Sequence, residues 1–162
     1  MKHLLDQLKI SLEKIAVILV DHGSRRDESN QLLFEVVQAF RQHAAWNIVE
    51  PAHMELVEPS IATAFDKCVG QGAELIIVYP YFLSPGRHWH EDIPRLAAEA
   101  AQAYPTVLHL VTAPLGLHAL MLQVIDERIT ACLNHVAGSG ERCELCSDST
   151  GCTLLPSKSP SV

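Results

Sequence analysis

Two histidines and a glutamate stand in three separate polar breaks of a largely apolar chain. His22 lies in Asp21-His-Gly-Ser24, Glu55 in Met54-Glu-Leu-Val-Glu-Pro-Ser60, and His88 in the Pro/Gly-punctuated loop that runs from Tyr79 to Pro94. A pair of imidazoles with a carboxylate suits a divalent first-row metal that keeps open coordination positions. The same set suits acid/base work near neutral pH, because histidine titrates there and a glutamate can orient it. Singly, each residue has a plainer meaning. His22 alone reads as a loop histidine bonded to backbone, Glu55 as a solvated strand-end carboxylate, and His88-Trp-His90 as a polar loop under an indole. Ser24 reads as a turn residue or helix cap, and the absence of Gly-x-Ser-x-Gly excludes a hydrolase elbow. The chemical reading therefore depends on whether the chain brings the three together.

The elements that must do so follow from hydrophobic period. Residues Leu4 to Leu12 read as a short amphipathic helix. Ile15-Ala-Val-Ile-Leu-Val20 is a continuous apolar run, the pattern of a strand covered on both faces. A helix follows from Asp27 to His43, with Leu32, Leu33, Val36, Val37 and Phe40 at helical spacing and Asp27 or Ser29 as its cap. A second strand runs from Ile48 through Ala52 to Leu56, where Pro51 points to an edge position or an interruption. Ser60 opens a helix with Ile61, Ala64, Phe65 and Cys68 on its apolar face, ended by Gly70 and Gly72. Leu75 to Tyr79 forms a third strand and Pro94 to Tyr104 an alanine-rich helix. Val107 to Val111 forms a fourth strand. Leu117 to Val136 forms a long helix with Leu120, Val124, Ile129 and Leu133 turned inward.

Strand and helix thus alternate four times. This predicts an α/β domain with a four-stranded parallel sheet, helices on both faces and right-handed crossovers. Ligands of such sheets bind beyond the carboxyl ends of the strands, near the point where strand order reverses. His22, Glu55 and His88 all fall on that rim.

Composition narrows the partners. A chain of 162 residues, 48% apolar, suits one domain. Its net charge of -7 and lack of a basic stripe argue against a general nucleic-acid binder. No apolar run is long enough for a membrane span, and the first residues lack a secretory pattern, so a soluble, cytoplasmic chain is expected. Five cysteines, three of them between Cys143 and Cys152, fit a metal or cluster site better than a disulfide framework.

Four segments in order, Asp21-His-Gly-Ser24, Met54-Glu-Leu-Val-Glu-Pro-Ser60, Pro80-Tyr-Phe-Leu-Ser-Pro-Gly-Arg-His88 running on to Asp92-Ile-Pro94, and Ala113-Pro-Leu-Gly116, resemble the short-form CbiX/SirB chelatases. The Pro-Gly-Arg-His-Trp-His run and the cysteine-bearing tail are most similar to the plant and cyanobacterial branch. The resemblance implies a three-layer chelatase-like domain over residues 13–137. It also implies insertion of Fe²⁺ into sirohydrochlorin, the final step of sirohaem synthesis, by a homodimer. A plastid stroma is the expected compartment if the source is a plant. His22 and His88 match the family's metal-handling histidines, and Glu55 falls on the position of its acidic partner. His22 is then the leading proton acceptor and a metal contact, His88 the second metal ligand, and Glu55 the aid to charge balance or proton exit. The substrate is a flat macrocycle fringed with carboxylates. Arg25, Arg26, Arg87 and His90 supply positive charge to it, a solvated pair at the helix start being the alternative for Arg25 and Arg26. Phe82, Leu83, Ser84, Pro85 and Gly86 complete the binding set, with Tyr81 and Trp89 as further apolar surface; core packing is the alternative for Phe82 and Leu83.

Residues 138–162 form a flexible tail. Cys143 and Cys146 stand in a Cys-x₂-Cys arrangement, with Cys152 following and Cys132 upstream in the last helix, where a plain buried thiol is its alternative. Four thiolates serve a [2Fe-2S] cluster or a structural zinc equally by spacing; the resemblance implies the cluster. Cys68 belongs to the core. Two other functions stay open: cobalt insertion for cobalamin synthesis, and a non-enzymatic iron or cluster carrier. A nucleotide-binding module is disfavoured, since the first strand is not followed by a glycine-rich phosphate loop.

Overall fold

The computed structural model describes residues 7, 9–44 and 46–142. In chain order these form β1 (Ile15–Asp21), α1 (Asp27–His43), β2 (Ile48–His53), α2 (Ile61–Gly70), β3 (Leu75–Pro80), α3 (Ile93–Ala101), β4 (Leu108–Val111) and α4 (Ala119–Val136). The strands form one parallel sheet in the order β2-β1-β3-β4. β1 is buried from Ile15 to Val20, as its unbroken apolar run requires. Alternate residues of that run feed two cores. Ala16, Ile18 and Val20 pack with Ile61, Ala64, Phe65 and Cys68 of α2 and with Ile93 and Ala97 of α3. Val17 and Leu19 pack on the other face with Leu33 and Val37 of α1. Pro51 sits in β2, an edge strand paired only to β1, where its missing N–H costs no ladder bond.

The boundaries differ from the sequence reading in several places, and β2, expected to reach Leu56, ends at His53. Of the helix expected over Leu4 to Leu12, residues 4–6 and 8 lie outside the described residues; Lys9 turns with φ 55°, and a 3-10 turn spans Leu12–Lys14. Neither Asp27 nor Ser29 caps α1. Arg26 holds the cap position without a side-chain bond, and Asn30 within the helix fixes the preceding loop: it accepts from the Ser24 amide and donates to the Ser24 carbonyl, both at 2.8 Å. The helix expected to start at Pro94 is preceded by one π turn, His88–Asp92, and ends at Ala101. The third helix therefore reaches back to His88.

The last difference concerns α4. The chain packs as two units, Met1–Gly116 and Leu117–Val162. Within the second, Leu120, Val124, Ile129 and Leu133 are 63, 47, 55 and 61% exposed rather than turned inward. A single helix buries its apolar stripe only against another element, and among the described residues of that unit α4 is the sole one. No described helix is long and apolar enough to cross a membrane.

Candidate metal and acid–base site

The strand order places the reversal point between β1 and β3, whose carboxyl ends carry His22 and His88. The β1 side is built by backbone. Gly23 follows His22 with φ +83°, and a Cβ there would lie 2.2 Å from the Glu55 carbonyl oxygen. Only glycine lets the first loop sit so close to the loop after β2. Two backbone bonds then join them: the Met54 amide donates to Asp21 at 2.8 Å and the Glu55 amide to His22 at 3.2 Å. Beyond Glu55 the chain reverses through Leu56, a non-glycine residue at φ 73°, with the Val57 amide bonded to the Glu55 carbonyl at 2.9 Å. Such a γ-turn is strained.

This scaffold aims two side chains at each other. His22 Nε2 lies 3.1 Å from Glu55 Oε1, and both side chains are about half exposed, 45 and 52%. His22 Nδ1 lies 3.2 Å from the Gly23 carbonyl, so both ring nitrogens face an acceptor while the neutral ring carries one hydrogen. In the tautomer with that hydrogen on Nδ1, Nε2 is a bare lone pair facing a carboxylate. Two such groups repel unless a cation lies between them, and a proton and a metal ion both qualify. Two ligands about 2.1 Å from one ion lie about 3.0 Å apart at right angles and about 3.4 Å apart at the tetrahedral angle, a range that includes the observed separation.

The β3 side is built locally. His88 opens the π turn, and its Nδ1 lies 2.8 Å from Asp92 Oδ2 one turn later. That hydrogen bond, with the nearby Arg87 guanidinium, holds the Asp92 carboxyl below its ordinary pKa. A carboxylate taking the Nδ1 hydrogen fixes the tautomer and leaves Nε2 free as a ligand. The His88 ring stands 5.2 Å from the His22 ring, centroid to centroid, at 70°. Two imidazoles on one tetrahedral ion place their centroids about 5 Å apart. Among the described residues no group of three His, Cys, Asp or Glu side chains is arranged as a metal cage.

The other expected site residues divide. Phe82, Leu83, Ser84, Gly86 and His88 line a cleft of about 210 Å³ with Trp89. Phe82 also packs against the core, whereas Leu83 is 69% exposed. Pro85 is exposed in the same loop. Arg87 is exposed, 3.7 Å from Glu91 and 3.8 Å from Asp92. His90 is exposed and stacks on Trp89, centroids 4.2 Å apart, while the Trp89 indole N–H donates to the Thr112 carbonyl and ties the loop to the end of β4. Arg25 and Arg26 are exposed at the entry to α1. Tyr81 instead lines an apolar groove of about 370 Å³ with Val17, Phe40 and Tyr79. Cys143, Cys146 and Cys152 lie outside the described residues, and Cys132 is an exposed thiol on α4 rather than a buried one. Cys68 is buried, and burial pushes its thiol up to about 12. Asp92 was missed as a partner of His88, although the spacing of four residues announced it. His53, fully buried against Asp21, was missed with no local signal.

Residues 16–132 match the CbiX family model. This chain belongs to the CbiX family. It is 52% identical over 141 residues to the chloroplastic sirohydrochlorin ferrochelatase of Arabidopsis thaliana, an alignment covering 87% of this chain and 63% of that protein. It is 40% identical over 81 residues to the sirohydrochlorin cobaltochelatase of Methanococcus maripaludis, covering 50% and 56%. The sirohydrochlorin chelatase SirB of Bacillus subtilis subspecies spizizenii, solved in complex with cobalt, matches with a TM-score of 0.69 and 32% identity, covering 72% of this chain and 50% of that one. The chain thus spans less than two thirds of the length of these relatives. The parallel sheet flanked by helices is the fold of these CbiX-family chelatases.

Proposed function

We propose that this chain is a sirohydrochlorin ferrochelatase, a metal chelatase of the lyase class that inserts Fe²⁺ into sirohydrochlorin to give sirohaem. The observation that carries the reading is the 3.1 Å approach of His22 Nε2 to Glu55 Oε1 with the His88 ring alongside. Metallation exchanges two pyrrole N–H protons for one divalent ion. A lone-pair nitrogen facing a carboxylate accepts either kind of cation, so the pair binds the incoming ion and, once the ion has moved to the macrocycle, takes up the two departing protons, one on the imidazole and one on the Glu55 carboxylate, from which they pass to solvent. His88, oriented by Asp92, is the second nitrogen ligand, and its loss of the ion to the macrocycle completes transfer. Arg25, Arg26, Arg87 and His90 attract the macrocycle's carboxylates against the chain's net negative charge. Phe82, Leu83, Ser84, Pro85 and Gly86 provide the surface on which it rests. The 52% identity to the Arabidopsis ferrochelatase supports iron.

Three further parts belong to the proposal. Residues 13–137 are the chelatase domain and 138–162 its tail. A [2Fe-2S] cluster is held by Cys143, Cys146, Cys152 and Cys132, a reading that rests on the resemblance to the plant branch, with the exposure of Cys132 leaving its thiol open to ligate. The active form is a homodimer, supported by the exposed apolar side chains of α4. The chloroplastic relative supports a plastid compartment for a plant source.

Cobalt is the second reading, favoured by the cobalt-bound SirB structure and by donors that discriminate weakly between the two metals. Anaerobic mixing of protein, sirohydrochlorin and either ion separates the cases. The proposal expects free-base absorption to disappear far faster with Fe²⁺ than without protein. Faster turnover with Co²⁺ would reverse the metal assignment, and decay at the uncatalysed rate with both ions would leave only a carrier.

A further inference from the structure

Beneath the His22 loop lies a second histidine–carboxylate pair that faces the protein interior. We propose that His53 and Asp21 form a positioning device that sets the aim of His22; this rests on the chelatase reading of the rim above it. Asp21 ends β1, His53 ends β2, and the two are register partners across the ladder. His53 is 0% exposed, and its Nδ1 lies 2.6 Å from Asp21 Oδ1.

The tautomer of His53 follows from what surrounds it. Its Nε2 is buried without any hydrogen-bond partner, and the ring stands 6.1 Å from the Phe34 ring. A buried N–H without an acceptor is costly, so in the neutral ring Nε2 is bare and the hydrogen sits on Nδ1. Nδ1 therefore donates and Asp21 accepts. The same Asp21 oxygen also accepts the Gly23 amide at 2.9 Å. One carboxylate oxygen is thus fixed from the core side by His53 and holds the residue after His22 on the rim side. The Gly23 carbonyl in turn lies 3.2 Å from His22 Nδ1. His53 acts on His22 through Asp21 and Gly23.

Packing reinforces this order. A Cβ on Gly23 would meet the His53 Cβ at 3.2 Å, so the loop rests directly on the buried ring's stem. The His53 amide donates to the Pro59 carbonyl at 2.7 Å, which ties the pair to the far end of the Glu55 loop as well. Both partners of the short His22–Glu55 approach therefore depend on this one buried residue. A partner that orients a metal-binding histidine changes metal affinity or activity by about 10–100-fold when removed.

The experiment compares His53→Leu, His53→Asn and Asp21→Ala with the wild type. Co²⁺ titration followed by its visible absorption is run beside the metallation assay with KM for the ion and kcat separated. His53→Leu fills the space but cannot donate; it is expected to weaken Co²⁺ binding and raise KM for the ion by about tenfold or more. His53→Asn returns a donor near the Nδ1 position in a smaller side chain. It is expected to recover most of the affinity while unfolding at a lower temperature than His53→Leu. Affinity then tracks the hydrogen bond and stability tracks volume. Asp21→Ala, which leaves the ring in place, decides the matter if His53→Leu does not fold, and is expected to lose affinity to the same degree. Wild-type affinity in His53→Leu, or an asparagine variant no better than leucine, overturns the positioning role while wild-type metallation stands. Absence of metallation in the wild type overturns the chelatase reading itself.

Discussion

The two loops that meet over the centre of the sheet hold their histidines by opposite means. His22 is held across strands: its neighbour Gly23 lies against the Glu55 backbone, and two amide bonds stitch the loop after β1 to the loop after β2. His88 is held within its own element, by a carboxylate one turn away in the same π turn. The first arrangement exists only when β1 and β2 are in register. The second needs little beyond one local turn. The comparison teaches that damage on the β1 side spreads to both His22 and Glu55, whereas damage on the β3 side stays graded and local.

Gly23→Ala breaks the comparison most severely. Its Cβ would fall 2.2 Å from a backbone oxygen at a φ that side chains avoid. Metallation is expected to drop more than about a hundredfold, because misplacing a reacting group by about 1 Å costs that much. Denaturant unfolding is expected to register a loss of about 2–4 kcal/mol. His22→Ala comes next. It is expected to slow metallation by roughly 10²–10⁴-fold, with circular dichroism and the unfolding midpoint unchanged because the side chain is 45% exposed. His88→Ala is expected to act in the same direction with the same intact fold. Asp92→Asn sharpens the contrast: with only the local partner weakened, about a tenfold loss is expected, read as the ratio of metallation rates. Near-normal rates in either histidine variant would remove that residue from the site.

The smallest effect concerns the two described cysteines. Burial raises the Cys68 thiol to about 12, so at pH 8 it stays protonated and sheltered, while Cys132 is exposed. A thiol reagent is expected to modify Cys132 in the native protein and Cys68 only after unfolding, as mass spectrometry of peptides would reveal.

Much of the scaffold was legible because burial writes a simple pattern. The unbroken run Ile15 to Val20 demanded a strand covered on both faces, and Pro51 marked β2 as an edge. The convergence of His22, Glu55 and His88 followed from alternation alone, since parallel strands deliver their following loops to one rim. The parts that were not legible fail for identifiable reasons. Pro94 suggested a helix start because proline suits the first turn, yet a π turn winds ahead of it and brings Asp92 beneath His88. The apolar stripe of α4 declares an amphipathic helix but not what covers it, so its inward orientation was an overreach. His53 reads as one polar residue at a strand end; only the ladder register reveals that it shares a carboxylate with the loop carrying His22.

The central claim is that His22, Glu55 and His88 share one divalent ion. Anomalous diffraction from crystals of the protein soaked with Co²⁺ addresses it directly. The account predicts one cobalt peak about 2.0–2.2 Å from His22 Nε2, His88 Nε2 and a Glu55 oxygen. A strong peak held elsewhere, with the His22–Glu55 pair still closed upon itself, would contradict it.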